Sequence, residues 1–234
     1  SQSATRAAVA AKLEAAKKQL AARAEILAKP DAAWEKEQLA GQGEPAREHV
    51  LEIADFDTQS DAAHEILKDG SVLLSGRVPD VDTYTVTVKT KLTGIRAFKL
   101  EALTDPSLPG KGPGRGDATR PNFVLNTFAV TAAPEGGKAA PVKLVKAKAD
   151  FSQAKFDVAG AIDDDVKTAW AINPKFHEPH WAMFECSSPV GGAEGTVLTF
   201  KLVQNFGSGR AIGRLRLSAV TGAGVVDMVL APTA

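Results

Sequence analysis

Thr83-Tyr84-Thr85-Val86-Thr87-Val88-Lys89 is the stretch on which the class of fold turns. Polar and apolar residues alternate in it with a period of two, and most are β-branched or aromatic. A pleated strand sends successive side chains to opposite faces, so this pattern specifies a strand buried on one face and wetted on the other. A helix would scatter the same residues around its circumference. Downstream, Ile95-Arg96-Ala97-Phe98-Lys99-Leu100-Glu101-Ala102-Leu103 alternates again. Ile95, Ala97 and Lys99 fall on one face, Arg96, Phe98 and Leu100 on the other. Upstream, residues 50–56 alternate loosely, and Ile66-Leu67 and Val72-Leu73-Leu74 flank the hairpin turn Lys68-Asp69-Gly70-Ser71. Further strands are expected over 122–131, 142–148, 181–186, 196–203 and 212–220, joined by turn-rich connections of which 105–120 is dense in Gly and Pro. Short strands at this interval without intervening helices specify a β-sandwich, not β/α units.

The first residues have another texture. Residues 3–29 contain no Gly or Pro and are rich in Ala, Lys, Glu, Gln and Leu, the best helix formers. Leu13, Leu20, Leu27 and Trp34 recur every seven residues, a thin seam of coiled-coil type. Glu14 to Lys18 and Glu25 to Lys29 are favourable i,i+4 pairs. Pro30 ends the pattern, and Pro30-Asp31 opens a second short helix reaching Gly41. The expected organisation is a helical hairpin over 1–45 and a β-sandwich over 46–234. The hairpin reads as a spacer whose apolar seam can contact another domain or chain, or as a terminal helix folded on its own domain.

Lys and Arg number 28 and so do Asp and Glu, so net charge gives no ground to expect nucleic acid as a partner. No apolar run is long enough to cross a bilayer as a helix, and membrane insertion is not expected. Cys186 is the single cysteine, so neither an internal disulfide nor the Cys-x-x-Cys-His attachment of a c-type haem is available. The chain begins at Ser1 without a signal peptide or initiator Met, and is expected to be part of a longer or processed protein.

The string Leu100-Glu101-Ala102-Leu103-Thr104-Asp105-Pro106-Ser107-Leu108-Pro109-Gly110-Lys111-Gly112-Pro113-Gly114-Arg115 resembles a signature of large secreted planctomycete proteins that carry a cytochrome c domain. Asn122-Phe123-Val124-Leu125-Asn126-Thr127-Phe128, Asp150-Phe151-Ser152-Gln153, Thr168-Ala169-Trp170-Ala171 and Ile212-Gly213-Arg214-Leu215-Arg216-Leu217-Ser218 continue the resemblance in order. It covers roughly residues 49–220. It implies a mainly β fold, a jelly-roll sandwich of galactose-binding type, similar to discoidin domains and several carbohydrate-binding modules. The helical piece resembles the linker to the cytochrome part. The implied role is a non-catalytic polysaccharide-binding module of a larger protein in an extracellular, cell-surface or periplasmic setting. The competing role is a structural domain that packs against the rest of its parent with no free glycan ligand.

Two loops carry the chemistry that such a role needs. Ala161-Ile162-Asp163-Asp164-Asp165-Val166-Lys167-Thr168-Ala169-Trp170 crowds three carboxylates, which repel unless a cation or donors neutralise them. Asp163, Asp165 and the Thr168 hydroxyl are the expected ligands of a structural calcium ion, which favours six to eight oxygens. A solvated turn in which Asp163 caps backbone amides is the alternative. Modules of the resembled kind usually have Gly where Asp164 stands and often Glu where Thr127 stands; Asp164 adds charge in return. For a sugar, aromatic faces and planar polar groups are required. The loop before the 181–186 strand offers Phe176, His177, His180 and Trp181; the loop after 196–203 offers Asn205 and Arg210; the Gly/Pro-rich loop offers Arg115. Arg210 can grip a carboxylate bidentately, so a uronate-containing polysaccharide is among the expected partners. Trp170 reads as core. His177 and His180, three apart with Pro179 between, do not make a transition-metal site with Glu178 alone. No nucleophile motif and no opposed pair of carboxylates stands out, so no catalytic residue is expected.

Overall fold

The computed structural model of the chain describes residues 13–14, 17–18 and 45–222, and the chain divides into two compact units, Ser1–Gly43 and Glu44–Ala234. Leu13, Glu14, Lys17 and Lys18 are helical, and Lys17 Nζ lies 3.1 Å from Glu14 Oε1 one turn away. The rest of the expected hairpin, with Leu20, Leu27 and Trp34 of its seam, lies outside the described residues.

Over residues 45–222 the chain is strand and loop, with single 3-10 turns at Pro109–Lys111 and Val158–Ala161. In order come β1 (Arg47–Val50), β2 (Ile53–Thr58), β3 (His64–Ile66), β4 (Val72–Leu74), β5 (Asp82–Thr90), β6 (Ile95–Ala102) and β7 (Val124–Leu125). Then follow β8 (Thr127–Pro134), β9 (Ala140–Pro141), β10 (Leu144–Ala149), β11 (Trp170–Ala171), β12 (His180–Val190), β13 (Thr196–Gln204) and β14 (Arg214–Thr221). One sheet runs β10-β12-β6-β14-β4-β3, with β1 also on β14; the other runs β2-β5-β13-β8-β9. β7 and β11 form a separate two-stranded ribbon. The pairing is antiparallel throughout, and β13 matches all nine residues of β5.

Alternation decides what each strand buries. In β5 the row Tyr84, Val86 and Val88 is buried while Thr83, Thr85 and Thr87 are half-buried. In β6 Phe98, Leu100 and Ala102 face the partner sheet. The two layers meet through aromatic rings. Phe98 meets Phe200 of β13 edge-on at 5.1 Å, and Phe128 of β8 stacks on Phe184 of β12 at 4.2 Å. All four are fully buried, each contributing roughly 1.5–3 kcal/mol by removal from water, with about 0.5–1.5 kcal/mol more per ring pair. On the opposite face of β6, Glu101 takes two hydrogen bonds from Arg216, at 2.7 and 3.1 Å. Ala97 on that face joins Ala46, Met183 and Val220 in a small separate cluster.

The hairpin turn read at 68–71 links β3 and β4: Leu67 N donates to Ser71 O, and Asp69 Oδ1 accepts from both Ser71 N and Oγ. Those Ser71 hydrogen bonds, with Arg214 beside it, hold the Asp69 carboxyl below its usual range against a small opposing effect of burial. The strand expected over 122–131 breaks at Asn126 instead. The buried Asn126 side chain donates to Val166 O and Thr168 O and accepts from Asn205 N, so β7 leaves the large sheet and pairs with β11. Burial pushes the Cys186 thiol up to about 12, with Glu185 adding to the effect, which keeps it protonated and unreactive.

Truncating Phe200, which touches both Phe98 and Phe128, should cost about 3–5 kcal/mol in urea unfolding, whereas Val145→Ala at an exposed position of β10 should change it by less than about 0.5 kcal/mol.

Candidate ligand cleft

The middle of the Gly- and Pro-rich loop, residues 112–115, is buried. Its Arg115 is 1 % exposed, and Nη2 donates to Ser75 O and Arg77 O, both at 3.0 Å. Close to the guanidinium and the Gln204 amide, the Tyr84 hydroxyl donates to Ile212 O at 2.8 Å. Burial dominates there and raises the Tyr84 phenol to about 12 despite Arg115, so it stays a neutral donor. The glycines beside Arg115 are required by close approach. A Cβ on Gly112 would strike Phe176 O, and one on Gly116 would strike Gly209 O. Arg115 N donates to Ala211 O and Gly114 N to Pro121 O, so 113–116, 121–124 and 209–213 form one knot of backbone.

Around this knot lies a cleft of about 190 Å³. Three rings line it: Phe156, Phe176 and Phe206. Phe206 is 53 % exposed and is steadied edge-on by Phe156 at 5.9 Å. Its polar lining is Arg120, Asn122, Gln153, Asn173 and Arg210. Among the described residues neither guanidinium has a carboxylate within 4.0 Å. Asp117 is near enough to Arg210 to feel its charge, but its Oδ1 accepts from Thr119 N, Thr119 Oγ1 and Arg120 N. The loop that carries Phe206 is pinned by Asp80, whose Oδ1 accepts from Ser208 N at 2.7 Å and whose carbonyl accepts from Gly209 N.

The cleft gathers two of the seven residues expected to contact sugar, Phe176 and Arg210. Arg115 is withdrawn into the core because Ser75 and Arg77 carbonyls take its donors. His180 is buried for a similar reason: Nδ1 lies 2.7 Å from Asp150 Oδ2 and Nε2 2.7 Å from Lys175 O. Trp181 sits on the other face of β12 against the Ala97 cluster. Asn205 and His177 are exposed but outside the cleft lining. Trp170 is core, as read, and its Nε1 donates to Phe151 O at 2.9 Å. Arg120, Asn173 and Phe206 lie in the three loops that the sequence offers for sugar contact, whereas Asn122, Gln153 and Phe156 were missed as cleft residues. The visible signal was the alternation Gly112-x-Gly114-x-Gly116, which marks three places where other backbones come close.

In the acidic loop, Thr168 Oγ1 lies 2.8 and 2.9 Å from the two Asp163 carboxylate oxygens, 2.7 Å from Asp165 O and 3.1 Å from Gly160 O. A hydroxyl has one proton to give, so most of these contacts bring oxygen to oxygen without a shared proton. Such convergence suits a hard cation. Asp165 differs from expectation: its carbonyl joins the group, while its carboxylate accepts from Lys167 N. Asp164 adopts φ +63°, the left-handed conformation that the usual Gly would take freely. Among the described residues no group of three or more His, Cys, Asp or Glu side chains is placed to hold a metal; here only one carboxylate takes part, with carbonyls and a hydroxyl.

No family model matches the chain, and no curated protein matches it. Among solved structures it is similar to a family 35 carbohydrate-binding module from Clostridium thermocellum, at 9% identity and a TM-score of 0.35 over 76% of this chain and 99% of that one. It is also similar to a fragment of a putative chitobiase from Bacteroides thetaiotaomicron, at 12% identity and 0.37 over 74% and 89%. A third is the family 32 module of Clostridium perfringens NanJ in complex with galactose, at 11% identity and 0.31 over 77% and 94%. Likeness at this level carries no ligand, which has to be argued from the cleft.

His180 gives the loop behind Phe176 a pH dependence. Burial opposes its charge, but Asp150, the Lys175 carbonyl and Glu178 outweigh burial and raise its pKa above the usual 6.5. Both ring nitrogens face acceptors, which only the imidazolium can satisfy together. A raised folded pKa means stability that is full below about pH 6.5 and lost as pH climbs through the folded value. Urea midpoints of the wild type should therefore fall across that alkaline interval, and His180→Gln should lack that part of the fall.

Proposed function

We propose that the sandwich is a non-catalytic glycan-binding module that takes a polysaccharide segment into the cleft lined by Phe156, Phe176 and Phe206. One observation carries the reading: three aromatic rings and two guanidiniums, without ion-pair partners among the described residues, meet in one open depression. Pyranose rings present an apolar face to aromatic side chains and hydroxyls to planar polar groups, and both surfaces are present. No carboxylate, imidazole or thiol lines the cleft, so nothing there would act as acid, base or nucleophile. A shallow site of this size fits affinities of roughly micromolar to millimolar. The finer reading is a jelly-roll of galactose-binding type on a helical spacer. Its parent is a secreted cytochrome-type protein located extracellularly, at the cell surface or in the periplasm. Arg210 supports uronate-containing chains among its partners.

The acidic loop belongs to the same proposal as a calcium staple. The Asp163 carboxylate, the Gly160 and Asp165 carbonyls and the Thr168 hydroxyl would hold the ion. When bound, it neutralises the oxygens crowded around Thr168.

Two measurements test these readings. Affinity-gel retardation on a panel of plant, algal and animal polysaccharides should find a ligand, and Phe206→Ala or Arg210→Ala should weaken it at least about tenfold with unfolding temperature nearly unchanged, since both side chains are partly exposed. Retention of full binding by both variants would move the ligand elsewhere. Calcium should raise the unfolding temperature of the wild type, EDTA should reverse it, and Asp163→Asn, which keeps the oxygen that accepts from Asp165 N, should abolish the response. An equal response in that variant would place the ion outside this loop.

A further inference from the structure

Gln153 holds the clue to what kind of sugar the cleft takes. Its Oε1 lies 3.2 Å from Asn173 N and 3.3 Å from Asn122 Nδ2. A backbone N–H can only donate, so the atom facing Asn173 is the carbonyl oxygen and the amide cannot be turned round. Asn122 is fixed by the same logic, because Ile172 N donates to its Oδ1 at 3.0 Å. Gln153 is tied further by its backbone, which accepts from Phe156 N and donates to Ala171 O. Gln153 lines the cleft, and its NH₂ group has both protons free of partners among the described residues. With Arg120 and Arg210, the groups of fixed role in this cleft are all donors. Such a set is satisfied by a ligand group that only accepts, and best by one that carries negative charge.

We infer that Gln153 is the specificity-determining residue of the cleft, and that with Arg120 and Arg210 it selects sugars bearing an oxyanion, a carboxylate or a sulfate ester. The inference rests on the glycan reading above and narrows it to one substrate class. The oxyanion sits between the Gln153 amide and the two guanidiniums, while Phe206 takes an apolar face of the ring. Neutral sugars leave the guanidiniums without an anionic partner and bind more weakly.

The test is isothermal titration of the full chain with two matched pairs of polymers: polygalacturonate and the same backbone fully methyl-esterified, and a sulfated galactan and its desulfated form. The expected result is at least about tenfold tighter binding of an anionic polymer than of its neutral counterpart, weakening as salt is raised. The carboxylate and sulfate arms tell which oxyanion is preferred. Gln153→Glu keeps the oxygen that accepts from Asn173 and Asn122 but replaces the donor by a negative oxygen, so it should lose anionic binding by at least about tenfold. Should that variant fold poorly, Arg120→Gln at an exposed position serves the same purpose. Equal binding of charged and neutral polymers, both lost in Phe206→Ala, overturns the selectivity and leaves the glycan site standing. Unchanged anionic binding in Gln153→Glu and Arg120→Gln also overturns it. No binding of any polymer overturns both readings.

Discussion

A buried positive charge organises this protein's candidate site. Taking a guanidinium out of water costs several kcal/mol unless its donors are met. Arg115 offsets part of that cost with two carbonyls from residues 38 and 40 positions earlier in the chain, both taken by Nη2, while its Nη1 has no hydrogen-bond partner among the described residues. The consequence is mechanical. A loop rich in Gly and Pro has little intrinsic reason to keep one shape, since Gly surrenders more backbone freedom than any other residue. Anchored by Arg115, it becomes a rigid base, and Gly112, Gly114 and Gly116 let the Phe176, Asn122 and Gly209 carbonyls rest directly on it. Each of these carbonyls belongs to a segment that supplies the cleft. The site therefore inherits its geometry from a charge that never touches ligand.

The two layers and the cleft divide the physical labour. Phe98, Phe128, Phe184 and Phe200 close the sandwich by apolar contact, which is strong and non-directional. The cleft is held by directional bonds, among them backbone amides that donate to asparagine and glutamine side chains. Asn122, Asn126 and Gln153 stitch the β7–β11 ribbon to its surroundings through Ile172 N, Asn205 N and Asn173 N. The ribbon thereby has the acidic loop at one end of β11 and the cleft at the other. Asn126 alone touches the acidic loop through Val166 and Thr168 and the Phe206 loop through Asn205.

This division explains what the sequence disclosed. Strands announce themselves through a local period, so Thr83–Lys89, the Lys68–Ser71 turn and the Ile95–Ala102 strand were readable from neighbouring residues alone. The places of Phe176 and Arg210 in the cleft lining were readable because an aromatic or an arginine in a Gly- or Pro-rich loop stands at the surface. The buried roles of Arg115 and His180 were not, because a long polar side chain is buried or exposed according to partners far away in sequence. Arg115 looks like a surface residue until Ser75 and Arg77 arrive; His180 does so until Asp150, 30 positions earlier, accepts a hydrogen bond from its ring. Gln153 is harder still. Its type is compatible with any surface turn, and its meaning comes from which of its two ends the Asn173 amide occupies.

The same bookkeeping of donors accounts for a positive cleft on a chain with equal numbers of acidic and basic residues. Several carboxylates lie close by, and each is turned away. Asp80 accepts from Ser208 N, Asp117 from the amides of Thr119 and Arg120, and Asp150 from Trp181 N and His180. Every one spends its charge on holding a loop that shapes the cleft. Arg120 and Arg210, by contrast, have no carboxylate within ion-pair distance among the described residues. Local polarity here follows from which charges are consumed by backbone, and a count over the whole chain conceals it. The arrangement also ties shape to charge: releasing Asp117 from the amides of Thr119 and Arg120 would loosen a cleft loop and, in the same step, free a negative group to compete for Arg210.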